Sequence, residues 1–204
     1  MRDDETGTLW HHITGEGLYG PLAGKRLGTP SNVLHTTVEV ALEMYPDIDI
    51  AISERPLVRE NRWAPLLGRI PVLGRGLRAT MAREDDRLPT MEIGLGIWTG
   101  DSTAQFYPME GVNAAGDALV DTFEGRQVVV YFDPRSRSLQ AAYVDATSAW
   151  WEDDVLRMDN DHAMSGGYFL DADGQRVEVE RPLQQFARWY GWALTFPRTG
   201  IWEN

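Results

Sequence analysis

The chain has 204 residues, 43% of them apolar, which suits one packed core and argues against wholesale disorder. It contains no cysteine, so disulfides, thiolate metal centres, iron–sulfur clusters and cysteine nucleophiles are excluded together. A formal net charge of −12 repels a polyphosphate backbone, and nucleic acid is not expected as a partner.

No stretch is long and apolar enough for a membrane helix, and the opening MRDDETG lacks the charged-then-apolar pattern of a secretory signal. The expectation is a soluble cytoplasmic protein with no membrane partner. Lys25 is the single lysine among nineteen basic residues, a balance found both in salt-adapted proteins and in GC-rich coding.

Residues 8–27 read as two or three brief strands broken by Gly15, Gly17, Gly20 and Gly24, with a turn at Gly20-Pro21. Thr36-Thr37 suits the cap of a short helix near 36–45, because Val38, Ala41, Leu42 and Tyr45 recur at helical spacing and Pro46 stops it. Ile48, Ile50 and Ile52 alternate with polar or small residues, the periodicity of a strand.

From 54 to 88 no period is sustained, and prolines and glycines punctuate the chain, which predicts a long arm within a single domain spanning 1–204. Its apolar residues, Trp63, Leu66 and Ile70 among them, predict that it packs on something. Within 55–83 seven arginines stand against one acid, Glu60. The arm is either an anion- or partner-binding element, including a homo-oligomer contact, or a strap whose arginines meet the chain's own acids.

Beyond residue 90 the pattern is a β-meander. Strands are predicted at 91–98, 103–107, 118–123, 126–132 and 138–144, separated by turn residues such as Thr99-Gly100-Asp101-Ser102 and Glu124-Gly125. An acidic loop runs through Asp161; strands at 168–170 and 176–180 flank the turn Asp171-Ala172-Asp173-Gly174. Pro182 suits the first turn of a helix over 182–192 through Leu183, Phe186, Ala187 and Tyr190. No repeat of fixed period and no low-complexity tract is present.

The residues Thr6-Gly7-Thr8-Leu9-Trp10, Thr14-Gly15-Glu16, Gly20-Pro21-Leu22-Ala23-Gly24 and Tyr45-Pro46-Asp47 resemble the domain-of-unknown-function 3179 family of bacteria and archaea. The resemblance continues through Asp86-Arg87-Leu88-Pro89, Ala104-Gln105-Phe106-Tyr107-Pro108 and Gly125-Arg126-Gln127-Val128 as far as Asp133-Pro134, similar to that family's β unit. It implies a fold and no reaction. Members commonly carry an upstream β unit with a Cys-Pro-Leu-Cys segment, and by that resemblance Met1 is expected to be a truncated or reassigned start.

His11 and His12 with Glu16 form the sharpest chemical constellation. A His beside a carboxylate suits a general base or a metal ligand, yet adjacent residues on a strand face opposite sides, and a half-buried strand histidine is the plain alternative. Arg188, Trp189, Tyr190 and Trp192 suit an anion clamp with an aromatic wall, or a C-terminal anchor in which Arg188 pairs with an acid such as Glu16 or Asp133. Asp153, Asp154, Asp159, Asp161 and His162 are read as a solvated acidic loop over a calcium site, since their spacing matches no standard calcium loop. No nucleotide-binding, nucleophile-elbow or HExxH motif is present, and neither cofactor nor metal is expected.

The expected fold is a β-rich α+β protein: an antiparallel sheet from 90–145, joined by the strands of 8–27, with short helices near 36–45 and 182–192. The expected site is a pocket between two aromatic and glycine-rich signatures, an N-terminal one from Thr8 to Leu27 and a C-terminal one from Ala187 to Trp202, for a small anionic ligand. His11, His12, Glu16, Arg188 and Tyr190 are the candidate catalytic residues for hydrolytic or proton-transfer chemistry, and Trp10, Asp133, Trp189 and Trp192 the candidate binding residues. The alternative is a non-catalytic structural or self-associating domain.

Overall fold

The computed structural model describes residues 1–28, 30, 32–52, 75–79, 81, 83–100 and 103–203, and over these the chain is a β-rich α+β protein. Strands β1 (Leu9–Trp10) and β2 (Gly17–Tyr19) pair antiparallel as a small sheet of their own and do not extend a central sheet as expected. Thr37 caps α1 (Val38–Met44), its side chain accepting from the Val40 N–H at 3.4 Å. The Ile48, Ile50 and Ile52 alternation forms no strand; Ile52 is 87% exposed. A strand needs a neighbour for its N–H and C=O groups, and none of the described residues supplies one.

Most of the predicted arm, 54–74, lies outside the described residues. Its far end holds α2 (Arg75–Arg78) and then lies against the C-terminal signature. Arg83 donates to the Ala193 carbonyl at 2.9 Å, while Arg87 donates to Asp85 and to the Thr199 carbonyl at 2.9 Å. Arg78 also pairs with Glu84, so the described arginines of this segment meet both backbone carbonyls and the chain's own acids.

The chain then builds three sheets. A hairpin of β3 (Ile93–Trp98) and β4 (Ala104–Pro108) is followed by α3 (Met109–Ala114) and by the meander β5 (Ala118–Phe123), β6 (Arg126–Asp133) and β7 (Ser138–Tyr143). Next come β8 (Ala149–Glu152), β9 (Val155–Met158), β10 (Ala163–Ser165), β11 (Tyr168–Leu170) and β12 (Arg176–Val177), one antiparallel sheet in sequence order. Finally β13 (Leu183–Arg188) pairs with β3, α4 (Trp189–Thr195) follows, and β14 (Gly200–Ile201) lies parallel to β4.

Alternation along the central strands explains the stacking. On β3, Leu95 and Ile97 meet Val128, Val130, Leu139 and Ala141 of the meander, whose opposite face carries Val129, Tyr131 and Ala142 against Leu156, Met158 and Phe169. The other face of β3, with Gly94, Gly96 and Trp98, lies under α4 and the cluster of Phe106, Trp189, Trp192 and Phe196. With both faces buried, the run Val128–Val130 has no polar side to show.

Three expectations are corrected. The strands of 90–145 divide between two sheets, because α3 intervenes after Pro108 and the free edge of β3 is taken by β13. The 182–192 segment is strand as far as Arg188; its six-residue ladder with β3, Leu183↔Trp98 to Arg188↔Ile93, overrides the apparent helical spacing. The acidic stretch before Asp161 contains the β8–β9 hairpin, which Asp153 turns with φ +52°. Among the described residues no helix is long and apolar enough to cross a membrane.

Candidate functional site

The C-terminal signature divides between core and surface. Trp189 and Trp192 are 0% exposed within the aromatic cluster, so neither ring wall is open to a ligand. The Trp189 and Tyr190 N–H groups donate to the Glu92 and Thr90 carbonyls, which satisfies the start of α4 by backbone alone. Arg188 is exposed and donates to the Met91 carbonyl at 3.0 Å; it pairs with neither Glu16 nor Asp133. Asp133 is buried at the β6–β7 turn, accepting from the Arg135 N–H at 3.0 Å. Trp10 is buried too, its Nε1–H donating to Asp3 at 2.8 Å.

The N-terminal signature turns instead of running straight. His11 N–H donates to the Glu16 carbonyl at 2.7 Å and Gly15 N–H to the His11 carbonyl at 2.9 Å, with Gly15 in the left-handed region at φ +67°. Because of this turn the His11 and His12 rings stack at 5.3 Å instead of pointing to opposite faces. His11 Nδ1 accepts from the Thr14 N–H at 3.2 Å, which places the neutral ring's proton on Nε2. Burial first, then the neighbouring His12, holds the His11 pKa below 6.5, with Glu16 pulling the other way.

A depressed imidazole pKa means that the unfolded chain binds the proton more tightly. The stability tied to His11 is therefore present above about 6.5 and lost as the pH falls through the depressed value. An NMR titration is expected to show the His11 ring titrating below 6.5 with the Thr14 amide shifting alongside it. A His11 midpoint at or above 6.5 contradicts this geometry.

The two signatures do meet, at Trp98. On one side a cavity of about 490 Å³ is bordered by His11, His12, Leu27, Gln184 and Gln185. On the other a cavity of about 370 Å³ is bordered by Thr14, Glu16, Arg26, Thr99, Thr195 and Arg198. Trp98 and Pro30 border both. Glu16 and Arg26 face each other across an antiparallel bridge, so their side chains share a face. Arg198 rides on a corner held by Trp192 Nε1–H donating to Thr199 Oγ1 at 3.0 Å and by Arg87 donating to the Thr199 carbonyl.

Of the expected site residues, the structure thus brings His11, His12 and Glu16 to the cleft and leaves Arg188, Tyr190, Trp10, Asp133, Trp189 and Trp192 elsewhere. Arg26, Trp98 and Arg198 are additions. Arg26 and Arg198 lie within the two terminal signatures, but nothing in their spacing announces that they share a wall.

A second feature has no signal in the sequence: a hydrogen-bond chain inside the meander's outer face. Arg181 Nη1 and Nη2 donate to Tyr131 Oη at 3.4 Å, and Tyr131 donates to Gln140 Oε1 at 3.3 Å. Gln140 Nε2 donates to Ser136 Oγ at 3.0 Å, and Ser138 Oγ donates to the His35 carbonyl at 2.7 Å. Since the Ser138 proton is committed to His35, the 3.0 Å contact between the two serines runs from Ser136 to Ser138. All donors point one way, from the guanidinium inward, and such alignment strengthens each bond. Burial pushes the Tyr131 phenol above its ordinary range, against the pull of Arg181, which keeps it a donor.

A family model described as "Protein of unknown function (DUF3179)" matches residues 1–199. No curated protein and no solved structure matches the chain.

Proposed function

Because the chain belongs to the DUF3179 family, for which no reaction is described, we propose its function from the cleft at Trp98: it binds a small anionic molecule there. The observation that supports this reading is that, among the described residues, Arg26 and Arg198 stand against a single acid, Glu16, around about 370 Å³ in a chain of net charge −12. Among the described residues neither arginine makes an ion pair. Guanidinium groups bind carboxylates and phosphates through paired N–H donors, and Thr14 and Thr99 border the same cavity, whereas the Thr195 hydroxyl is committed to the Gly191 carbonyl at 3.0 Å.

Binding is favoured over catalysis. A hydrolytic or proton-transfer site needs its base and acid to reach one substrate, whereas His11 and Glu16 border two cavities on either side of Trp98. A non-catalytic structural domain is the second reading, favoured by the burial of Trp189 and Trp192 in the core.

Titration calorimetry with citrate and with inorganic phosphate tests the proposal. Saturable binding is expected, weakened about tenfold or more in Arg198→Ala and in Arg26→Ala, the loss of one charge-assisted contact. Absence of saturable heat from both anions, or wild-type affinity retained in both variants, transfers the case to the structural reading.

A further inference from the structure

We propose that the cleft between α1 and the β11–β12 hairpin is a second ligand site, suited to a small organic anion with a flat apolar body, an aromatic monocarboxylate. It is separate from the cleft at Trp98 and does not depend on it. The cavity holds about 410 Å³ and is bordered by Met44, Phe169, Val177, Arg176, Glu178 and Arg181.

The recognition element is Arg181. Its guanidinium has five N–H donors. One Nη1 donor goes to the Ala141 carbonyl at 2.9 Å, and one from each of Nη1 and Nη2 goes to Tyr131 Oη at 3.4 Å. Among the described residues, this leaves Nε–H and the outer Nη2–H without an acceptor. Those two form the edge that a carboxylate occupies side-on, with two parallel bonds.

Among the described residues no carboxylate pairs with Arg181, although the chain has thirty-one acids to offer. A half-buried guanidinium left without a counter-charge carries a desolvation cost that a bound anion offsets. The chain of bonds through Tyr131 and Gln140 holds the head in place before any ligand arrives.

The walls specify the rest of the ligand. Arg176 lies over Tyr168, its guanidinium carbon 3.8 Å from the ring centroid, which adds a second positive charge beside an aromatic ring. Met44 and Val177 supply apolar contact, with the buried Phe169 ring forming the floor 5.6 Å from the Arg181 guanidinium carbon. Among the described residues the cavity has one acid, Glu178, outnumbered two to one by arginines. A bare phosphate would satisfy the charges and leave the apolar walls uncovered.

Calorimetry on the full chain with benzoate, and with inorganic phosphate as the second arm, is the test. Benzoate is expected to bind saturably and phosphate on the order of tenfold more weakly at this cleft, having no apolar body to bury. Arg176→Ala is expected to weaken benzoate several-fold, Arg181→Lys about tenfold because the fork is lost, and Glu178→Gln to tighten it. Glu178→Gln changes an exposed side chain and keeps the question answerable where an Arg181 variant fails to fold. Arg26→Ala and Arg198→Ala are expected to leave benzoate affinity unchanged. Absence of saturable benzoate binding, benzoate affinity indifferent to both Arg176→Ala and Glu178→Gln, or loss of benzoate binding in Arg198→Ala overturns the proposal.

Discussion

Replacing Trp192 by alanine is expected to lower unfolding free energy by about 3–5 kcal/mol, read as a fall in urea midpoint at unchanged slope. The ring is 0% exposed, with centroids 4.3 Å from Phe196, 5.8 Å from Trp98 and 6.1 Å from Phe106. Its Nε1–H also leaves Thr199 Oγ1 without a donor when removed. Beneath it lies Gly96 on β3, whose missing side chain is the space the ring occupies; a Cβ there would run into the indole. Gly96→Ala is therefore expected to fail in the complementary way, by overpacking, at about 1–3 kcal/mol or more.

The two effects share one volume, so they are not independent. Gly96→Ala in a Trp192→Ala background is expected to cost less than the sum of the single variants, with a coupling of at least about 0.5 kcal/mol. Strict additivity would mean that the ring does not rest on Gly96. Since Thr199 neighbours Arg198, Trp192→Ala is also expected to weaken anion binding at the Trp98 cleft while leaving the Arg181 cleft untouched.

Gln184→Leu is the second large effect, expected at about 2–4 kcal/mol. Gln184 is 2% exposed, and its amide reaches the outer edge of β7, where Oε1 accepts from the Ala141 N–H at 2.8 Å and Nε2 donates to the Ala141 carbonyl at 3.0 Å. One side chain thus stands in for a strand neighbour and ties the four-stranded sheet to the meander. Leucine keeps the volume and abandons both groups; Arg181 still serves the carbonyl, but the buried N–H has nothing. Hydrogen exchange at the Ala141 amide is expected to accelerate together with the loss in urea midpoint. Wild-type stability with a still-protected Ala141 amide would contradict this account.

Residues whose role is set by near neighbours in the chain are legible before folding. Thr37 caps α1 because the N–H it serves is three residues on, the Asp171–Gly174 turn closes through Asp171, and the strands of the meander show in the alternation and turns of 118–144. The two terminal signatures are marked by their glycines and aromatics, and residues of both border the cavity at Trp98. The β13 segment misleads because Leu183, Phe186 and Ala187 fit helical spacing equally well, and only the open edge of β3 decides between the two.

The candidate sites depend more heavily on the fold. His11 and His12 look like opposite faces of a strand until Gly15 allows the turn that stacks them. Nothing local joins Arg26 to Arg198, or Arg181 to Tyr131 and Ser138, since each partnership spans many residues of chain and exists only once sheets have stacked. By itself the sequence determined the β-rich α+β class, the family and the short-range caps and turns, all of which rest on interactions within a few residues. Tertiary structure alone decided which strand edges pair, which tryptophans become core and which arginines are left facing a cavity. Those outcomes depend on burial and on hydrogen-bond partners brought from afar, and neither is a property of any short stretch of residues.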